Sequence, residues 1–174
     1  MGLAGEQIRA ALEATGLRLG HGPEMEVLVV GGAAALLNGL LRPERTTADV
    51  DVLNVVPSRE DEALYEAAAL VGREMGLPND WLNGEAGLYR EALLPTWKDR
   101  RVEVGHFGRL TVYAASRVDL IAMKFYAGRP QDIEDLLDLS PTPEERKFVR
   151  EHIAQIGNDG RVLAALQRID KWER

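Results

Sequence analysis

The chain has 174 residues, the length of one ordinary domain, and its 45% hydrophobic and 28% charged residues are typical of a globular protein. Acidic residues outnumber basic ones 28 to 21, which gives a formal charge of -7 and argues against non-specific binding of nucleic-acid backbones. Cysteine is absent, which excludes disulfides, thiolate nucleophiles and cysteine-ligated metals. The three histidines have no short metal-binding spacing, so a bound metal would be held by carboxylates.

Targeting and membrane signals are missing from the sequence. The first residues carry Glu6 and Arg9 among apolar side chains, unlike a secretory or transit peptide. The longest apolar runs are shorter than the roughly 20 residues of a membrane-spanning helix. We therefore expect a soluble cytoplasmic protein that does not contact a membrane.

The first half of the chain predicts alternating helices and strands. Apolar residues at helical spacing predict a helix over 6–17, and the β-branched run at 27–30 predicts a buried strand. A Gly-Gly turn and the helix-favouring segment AAALLNGLL follow. The polar segment 42–47 predicts a loop. A strand over 49–56 comes next, and then a helix over 59–75 that begins at an N-cap, Ser58, and ends near Gly76.

The second half predicts two more strands and then helices only. The segment 81–98 predicts a loop with one or two short elements, because it shows no clear period. Period-two alternation predicts strands over 101–107 and 110–114. Four helices should follow, beginning at the capping signals Ser116 and Thr142, near Arg129, and after the glycines 157–160. The fold class is therefore α/β (α+β), a small mixed sheet flanked by helices with a helical C-terminal third.

Asp49 and Asp51 are the first candidate functional residues. Residues i and i+2 of a strand project from the same face, so both carboxylates share one face while Val50 and Val52 point into the core. Two carboxylates this close repel each other unless a cation lies between them. The pattern therefore indicates a site for Mg²⁺, Mn²⁺ or Ca²⁺, although an exposed strand end would show the same alternation.

Gly31 and Gly32 form the second candidate feature. They separate a buried strand from a helix, where backbone N–H groups at the helix N-terminus favour an anion. Glycine allows phosphate oxygens to approach the backbone closely. The segment matches neither the GxGxxG nor the Walker pattern, so a plain tight turn is the alternative interpretation.

Glu103 is the candidate third acid. In Val102-Glu103-Val104 it lies on the strand face opposite two valines, and it would complete a metal site or act as a base. An ordinary exposed strand residue would show the same pattern.

Two sequence blocks carry a resemblance. The segment VVGGAAALLNGLLRPERTTADVDVL, Val29 to Leu53, resembles the nucleotidyltransferase superfamily of DNA polymerase beta in its order of strand, Gly-Gly, helix and R-x-T-x-D-x-D. The segment KFYAGRPQDIEDL, Lys124 to Leu136, resembles small bacterial nucleotidyltransferases related to abortive-infection (type IV toxin–antitoxin) transferases. Members often carry lysine where Gln131 stands. This resemblance implies a single nucleotidyltransferase-like domain over 1–174, with its core at about 25–115 and its C-terminal helices at about 116–174.

The resemblance also implies roles for individual residues. Asp49 and Asp51 would bind Mg²⁺ or Mn²⁺ and be catalytic, with Glu103 as third ligand and base. The nucleotide phosphates would lie against four residues: Gly31, Gly32, Arg45 and Lys124. Arg45 could instead pair with Asp49, and Lys124 could be an ordinary surface lysine. Arg129, Asp132 and Asp135 are expected to form a structural ion-pair network.

The implied activity is transfer of a nucleoside monophosphate from an NTP to a hydroxyl of an RNA, protein or small molecule. The chemistry needs neutralisation of charge and an aligned nucleophile, with little covalent work from the protein. The protein could belong to a toxin–antitoxin pair and bind a partner protein or a second copy of itself. Two alternatives are a catalytically inactive interaction protein on the same scaffold and a carboxylate-metal phosphohydrolase.

Overall fold

The structure, a computed structural model, describes residues 2–172. Mixed α/β architecture is confirmed, with a five-stranded sheet and helices that make up the C-terminal part. The strands are β1 (Met25–Val29), β2 (Val50–Val56), β3 (Leu82–Asn83), β4 (Val102–Phe107) and β5 (Leu110–Ala114).

Helices flank the sheet and continue to the end of the described chain. Two 3-10 helices, Ser58–Glu60 and Glu85–Ala92, accompany the α-helices. The α-helices are α1 (Gly5–Arg18), α2 (Gly31–Leu37), α3 (Asp61–Met75), α4 (Trp97–Arg100), α5 (Arg117–Ala127), α6 (Pro130–Leu139), α7 (Pro143–Ile156) and α8 (Gly160–Asp170). Among residues 2–172, no helix has the length and hydrophobicity that crossing a bilayer requires. The single-domain assignment over 1–174 stays a prediction, and Met1, Glu173 and Arg174 lie outside the described residues.

The strand order is β3-β2-β1-β5-β4. β1 lies in the centre, antiparallel to β2 and parallel to β5, while β4 runs antiparallel to β5 and β3 parallel to β2. A central strand is covered on both faces, which explains the continuous apolar run of β1. β1 and β5 lie between β2 and β4, so β2 and β4 belong to opposite halves of the sheet.

Side-chain caps explain where most of the C-terminal helices begin. The predicted caps Ser116 and Thr142 are confirmed: each accepts the N–H of the residue three positions on, before α5 and α7 respectively. The Ser58 cap is wrong, because residues 58–60 form a 3-10 turn and the Ser58 side chain makes no cap. α3 begins only at Asp61, whose Oδ1 accepts the N–H of Glu62 at 2.8 Å.

Gly16 allows α1 to lie directly against β4. A Cβ at this buried position would come within 2.3 Å of the Phe107 carbonyl oxygen and 2.6 Å of the Phe107 Cβ. Gly16→Ala is therefore expected to lower the free energy of unfolding by about 1–3 kcal/mol. Urea unfolding measures this. Gly157→Ala, which meets no heavy atom within 4 Å, is the matched control; equal stability of the two variants would contradict the prediction.

Candidate active site

Asp49 and Asp51 lie where β2 begins. β2 is held against β1 by its backbone, with the Val30 N–H donating to the Asp51 carbonyl at 2.9 Å. Val50 and Val52 are buried, at 0% and 2% exposure, whereas both aspartates are only half-buried. The alternation thus fixes the two carboxylates on the face that is not packed into the core.

Gly31, the first residue of α2, approaches Asp51 closely. Its φ is +66°, a left-handed backbone conformation that residues with a side chain rarely adopt. A Cβ here would lie 3.3 Å from Asp51 Oδ2. The N–H groups of the first helical turn have no acceptor within a helix, and Gly31 is the residue of that turn that lies beside Asp51.

Gly32 has a different environment. A Cβ there would lie 3.1 Å from the Thr47 Oγ1, and Gly32 does not line the cavity that contains the aspartates. Thr47 is buried and pairs through its backbone with Leu3. Gly32 therefore allows close packing of the loop before β2, and its predicted contact with phosphate stays a prediction.

A cavity of about 160 Å³ brings the two motifs together. Asp49, Asp51 and Gly31 line it, together with Lys124 from α5 and Tyr89 from the 3-10 helix 85–92. Four carboxylates and two basic side chains are present, so two negative charges are uncompensated. The full charged set is Asp49, Asp51, Glu85, Asp132, Lys124 and Arg129.

Burial and the neighbouring Asp49 carboxylate raise the pKa of Asp51 to about 6. Arg129 and a hydrogen bond from the Ala86 backbone oppose this shift, while Glu85 adds to it. The ionised pair is therefore unfavourable in the protein alone, and a cation between the carboxylates would relieve the repulsion.

Buried ion pairs connect the cavity to α6. The Lys124 Nζ, 3% exposed, lies 2.6 Å from Asp135 Oδ2 and 3.4 Å from Asp132 Oδ1. The Arg129 Nε lies 2.8 Å from Asp132 Oδ2. Arg45 does not line the cavity; its guanidinium contacts Asp135 at 3.0 Å. The lysine is thus buried rather than on the surface.

The structure changes two expectations about these charges. Arg45 was expected to contact a phosphate or to pair with Asp49; its carboxylate partner is Asp135 rather than Asp49, and its contact with a phosphate stays a prediction. The expected network of Arg129 with both Asp132 and Asp135 is also larger than the spacing indicated, because Lys124 and Arg45 complete it. Lys124 lines the cavity, and its binding of a phosphate stays a prediction.

Glu103 does not join the aspartate pair. It lies on β4, three strand steps from β2 or roughly 14 Å at the usual strand spacing. Its side chain is exposed and borders a different cavity with Arg9 and Arg117. Glu103 therefore takes no part in the site proposed below. The alternation within one strand predicts which face a residue occupies, but it does not predict the order of the strands in the sheet.

The comparisons with known proteins agree with this geometry. Residues 7–140 match the family described as "nucleotidyltransferase of unknown function" (DUF6036). This chain belongs to that nucleotidyltransferase family. No curated protein and no solved structure gives a significant match.

The matched range of the nucleotidyltransferase family includes every residue of the cavity described above. It also includes four cavity residues from a segment to which the sequence gave no role: Glu85, Ala86, Leu88 and Tyr89. They lie in the segment 81–98, where a two-residue strand and a 3-10 helix leave no regular hydrophobic period. The sequence would have indicated this segment only if it had shown which segment pairs with the strand that contains Asp51.

Nucleotidyltransferases of this kind commonly use a divalent metal, and the cavity fits one. Asp49 and Asp51 offer hard oxygen ligands, and their mutual repulsion would be relieved by a cation. Among residues 2–172, no group of three His, Cys, Asp or Glu side chains is arranged to hold a metal. Mg²⁺ is often bound by one or two carboxylates together with substrate phosphates and water, and a two-carboxylate site meets this description.

Proposed function

We propose that this protein is a divalent-metal-dependent nucleotidyltransferase that moves a nucleoside monophosphate from an NTP to a hydroxyl acceptor. The observation that carries the proposal is the shared cavity of the aspartate pair and Gly31, the first residue of α2. Asp49 and Asp51 would hold Mg²⁺ or Mn²⁺, which supplies charge neutralisation at the reacting phosphate when bound.

The chain's own residues would bind and orient the triphosphate. The excess of carboxylates in the cavity disfavours a free triphosphate and favours one that arrives with its cation. The backbone N–H of Gly31 would donate to a phosphate oxygen, and Lys124 and Arg129 would add positive charge. Glycine at 31 keeps the space beside Asp51 open, since a Cβ there would crowd its carboxylate.

The transfer itself is an in-line displacement at the α-phosphorus. The acceptor oxygen forms the new bond to phosphorus, the bond to the bridging oxygen of pyrophosphate breaks, and the proton of the acceptor hydroxyl passes to solvent. A nucleotidylated acceptor and pyrophosphate are the products. Release of inorganic phosphate instead would indicate the phosphohydrolase alternative.

Isotope-labelled nucleotides test this proposal. With α-³²P-NTP and Mg²⁺, the wild type should bind nucleotide and label an acceptor, whereas Asp49→Asn/Asp51→Asn should do neither. Asp80→Asn removes a carboxylate from an exposed position and should behave as the wild type. Equally poor binding by the wild type and the double variant would overturn the proposal.

A second candidate is a nucleotide-binding interaction protein without turnover. The observation that favours it is that, among residues 2–172, no third acidic side chain is arranged to hold a metal together with Asp49 and Asp51. Binding of Mg²⁺–NTP that depends on Asp49 and Asp51, with no labelled product from any acceptor, would support this candidate.

Membership of a toxin–antitoxin pair stays a proposal of the same kind. Growth arrest on expression that requires Asp49 and Asp51 would support a toxin enzyme. Harmless expression and a stable complex with the product of a neighbouring gene would support the interaction protein.

A further inference from the structure

Asn83 is a side chain beside the aspartate pair to which no sequence pattern gave a role. It lies in β3, opposite Asp51 in the parallel register with β2. Its Nδ2 donates to Asp49 Oδ2 at 3.2 Å, and its Oδ1 accepts the N–H of Glu85 at 2.9 Å. Nδ2 also lies 3.4 Å from the Asp80 carbonyl oxygen. The amide thus contacts the aspartate pair with one end and the start of the 3-10 helix with the other.

The two ends of this amide serve different purposes. The Oδ1 contact spans two residues and is the local turn that Asn, Asp and Ser commonly make. The Nδ2 contact joins residues 34 positions apart and requires a donor. A neutral donor beside a half-buried carboxylate restricts the rotamers of that carboxylate without adding negative charge.

We propose that Asn83 is a positioning residue for Asp49, which it holds in place for a divalent cation. This inference rests on the proposed function, because it takes the aspartate pair as the cation site. With asparagine at 83, Asp49 and Asp51 are the two carboxylates that would bind the cation, and substrate phosphates would provide further ligands. An acidic residue at 83 would supply a third carboxylate and would make the cation bind tightly without nucleotide.

Binding of Mn²⁺ alone, measured by electron paramagnetic resonance of the free ion, tests this role. Asn83→Ser keeps an acceptor for the Glu85 N–H but lacks the amide Nδ2 that donates to Asp49, and we expect its affinity for Mn²⁺ to fall about tenfold. Its melting temperature without metal should change little. Asn83→Asp should instead bind Mn²⁺ about tenfold more tightly. Asn79→Asp, the same change at an exposed position four residues away, should match the wild type.

The outcomes separate the positioning role from the proposed function. If Asn83→Ser binds Mn²⁺ as tightly as the wild type, or Asn83→Asp binds no more tightly than Asn79→Asp, the positioning role is overturned. Asn83→Ser decides alone if Asn83→Asp does not fold. Mn²⁺ binding that depends on Asp49 but not on residue 83 refutes only the inference about Asn83. Binding that depends on both, without nucleotide transfer, refutes only the enzymatic proposal.

Discussion

Asp51→Asn is expected to stabilise the metal-free protein and to abolish binding of the Mg²⁺–NTP complex. Both effects have one cause, because the carboxylate that would hold the cation is half-buried beside Asp49 and lacks a compensating charge of its own. Asparagine keeps an oxygen that can accept the Ala86 N–H but removes the repulsion. We expect nucleotide affinity to fall at least about 100-fold, since losing even an indirect partner of a metal ligand commonly costs 10–100-fold.

The stability gain should depend on pH in a defined direction. The pKa of Asp51 is raised to about 6 in the folded protein, from an ordinary value of 3.8. Ionisation therefore destabilises the folded state increasingly as the pH rises from about 4 to about 6, and the loss is constant above that range. A shift of this size corresponds to at most about 3 kcal/mol, and solvent screening reduces the expected gain from Asp51→Asn to about 1–2 kcal/mol.

Thermal unfolding in EDTA at pH 4, 5, 6 and 8 measures this gain. The difference between Asp51→Asn and the wild type should be near zero at pH 4 and largest at pH 8. Asp80→Asn should show no such dependence, because its side chain is exposed. An Asp51→Asn variant that is no more stable than the wild type at pH 8 would mean that the aspartate pair is not repulsive in the folded protein.

The aspartate pair and Gly31 were predictable because each depends on local geometry. A strand of period two places residues i and i+2 on one face whatever the rest of the fold does, and a Gly-Gly turn between a buried strand and a helix is recognisable from the residues around it. That the two features lie together depends on the pairing of β1 with β2. The same reasoning failed for Glu103, because its distance from Asp51 depends on the order of strands. β5 pairs with β1 and leaves β4 at the far edge, and nothing in the alternation of 101–107 contains that information.

The positions of Asn83 and Tyr89 at the site could not be predicted from the sequence. Their segment forms two residues of strand and a 3-10 helix, which are too short to give a hydrophobic period. Its placement depends on pairing with β2, where the Val50 N–H donates to the Trp81 carbonyl at 2.6 Å. Trp81 is fully buried and its indole N–H donates to the Ala68 carbonyl at 2.8 Å. Tertiary packing of this tryptophan, rather than local sequence preference, therefore brings the segment to the site.

Lys124→Met should lower the free energy of unfolding by about 3 kcal/mol. The lysine is buried between Asp132 and Asp135, which are themselves 2% and 1% exposed. Methionine fills a similar volume, so the loss comes from the two carboxylates that are left without their shared cation. Each carboxylate keeps one arginine partner, Arg129 or Arg45, which places the expected loss at the low end of the range for broken buried ion pairs.

Urea unfolding provides the measurement, with an unchanged m-value as the sign that the native state is still compact. Arg42→Met is the matched control, because Arg42 pairs with Asp138 of the same helix α6 but is 73% exposed, and its loss should cost less than about 0.5 kcal/mol. Similar losses for the two variants would show that the Lys124 network contributes no more than a surface pair. In that case nucleotide binding alone would explain the position of Lys124 at the cavity. The NTP affinity of Lys124→Met would then have to fall while its free energy of unfolding did not.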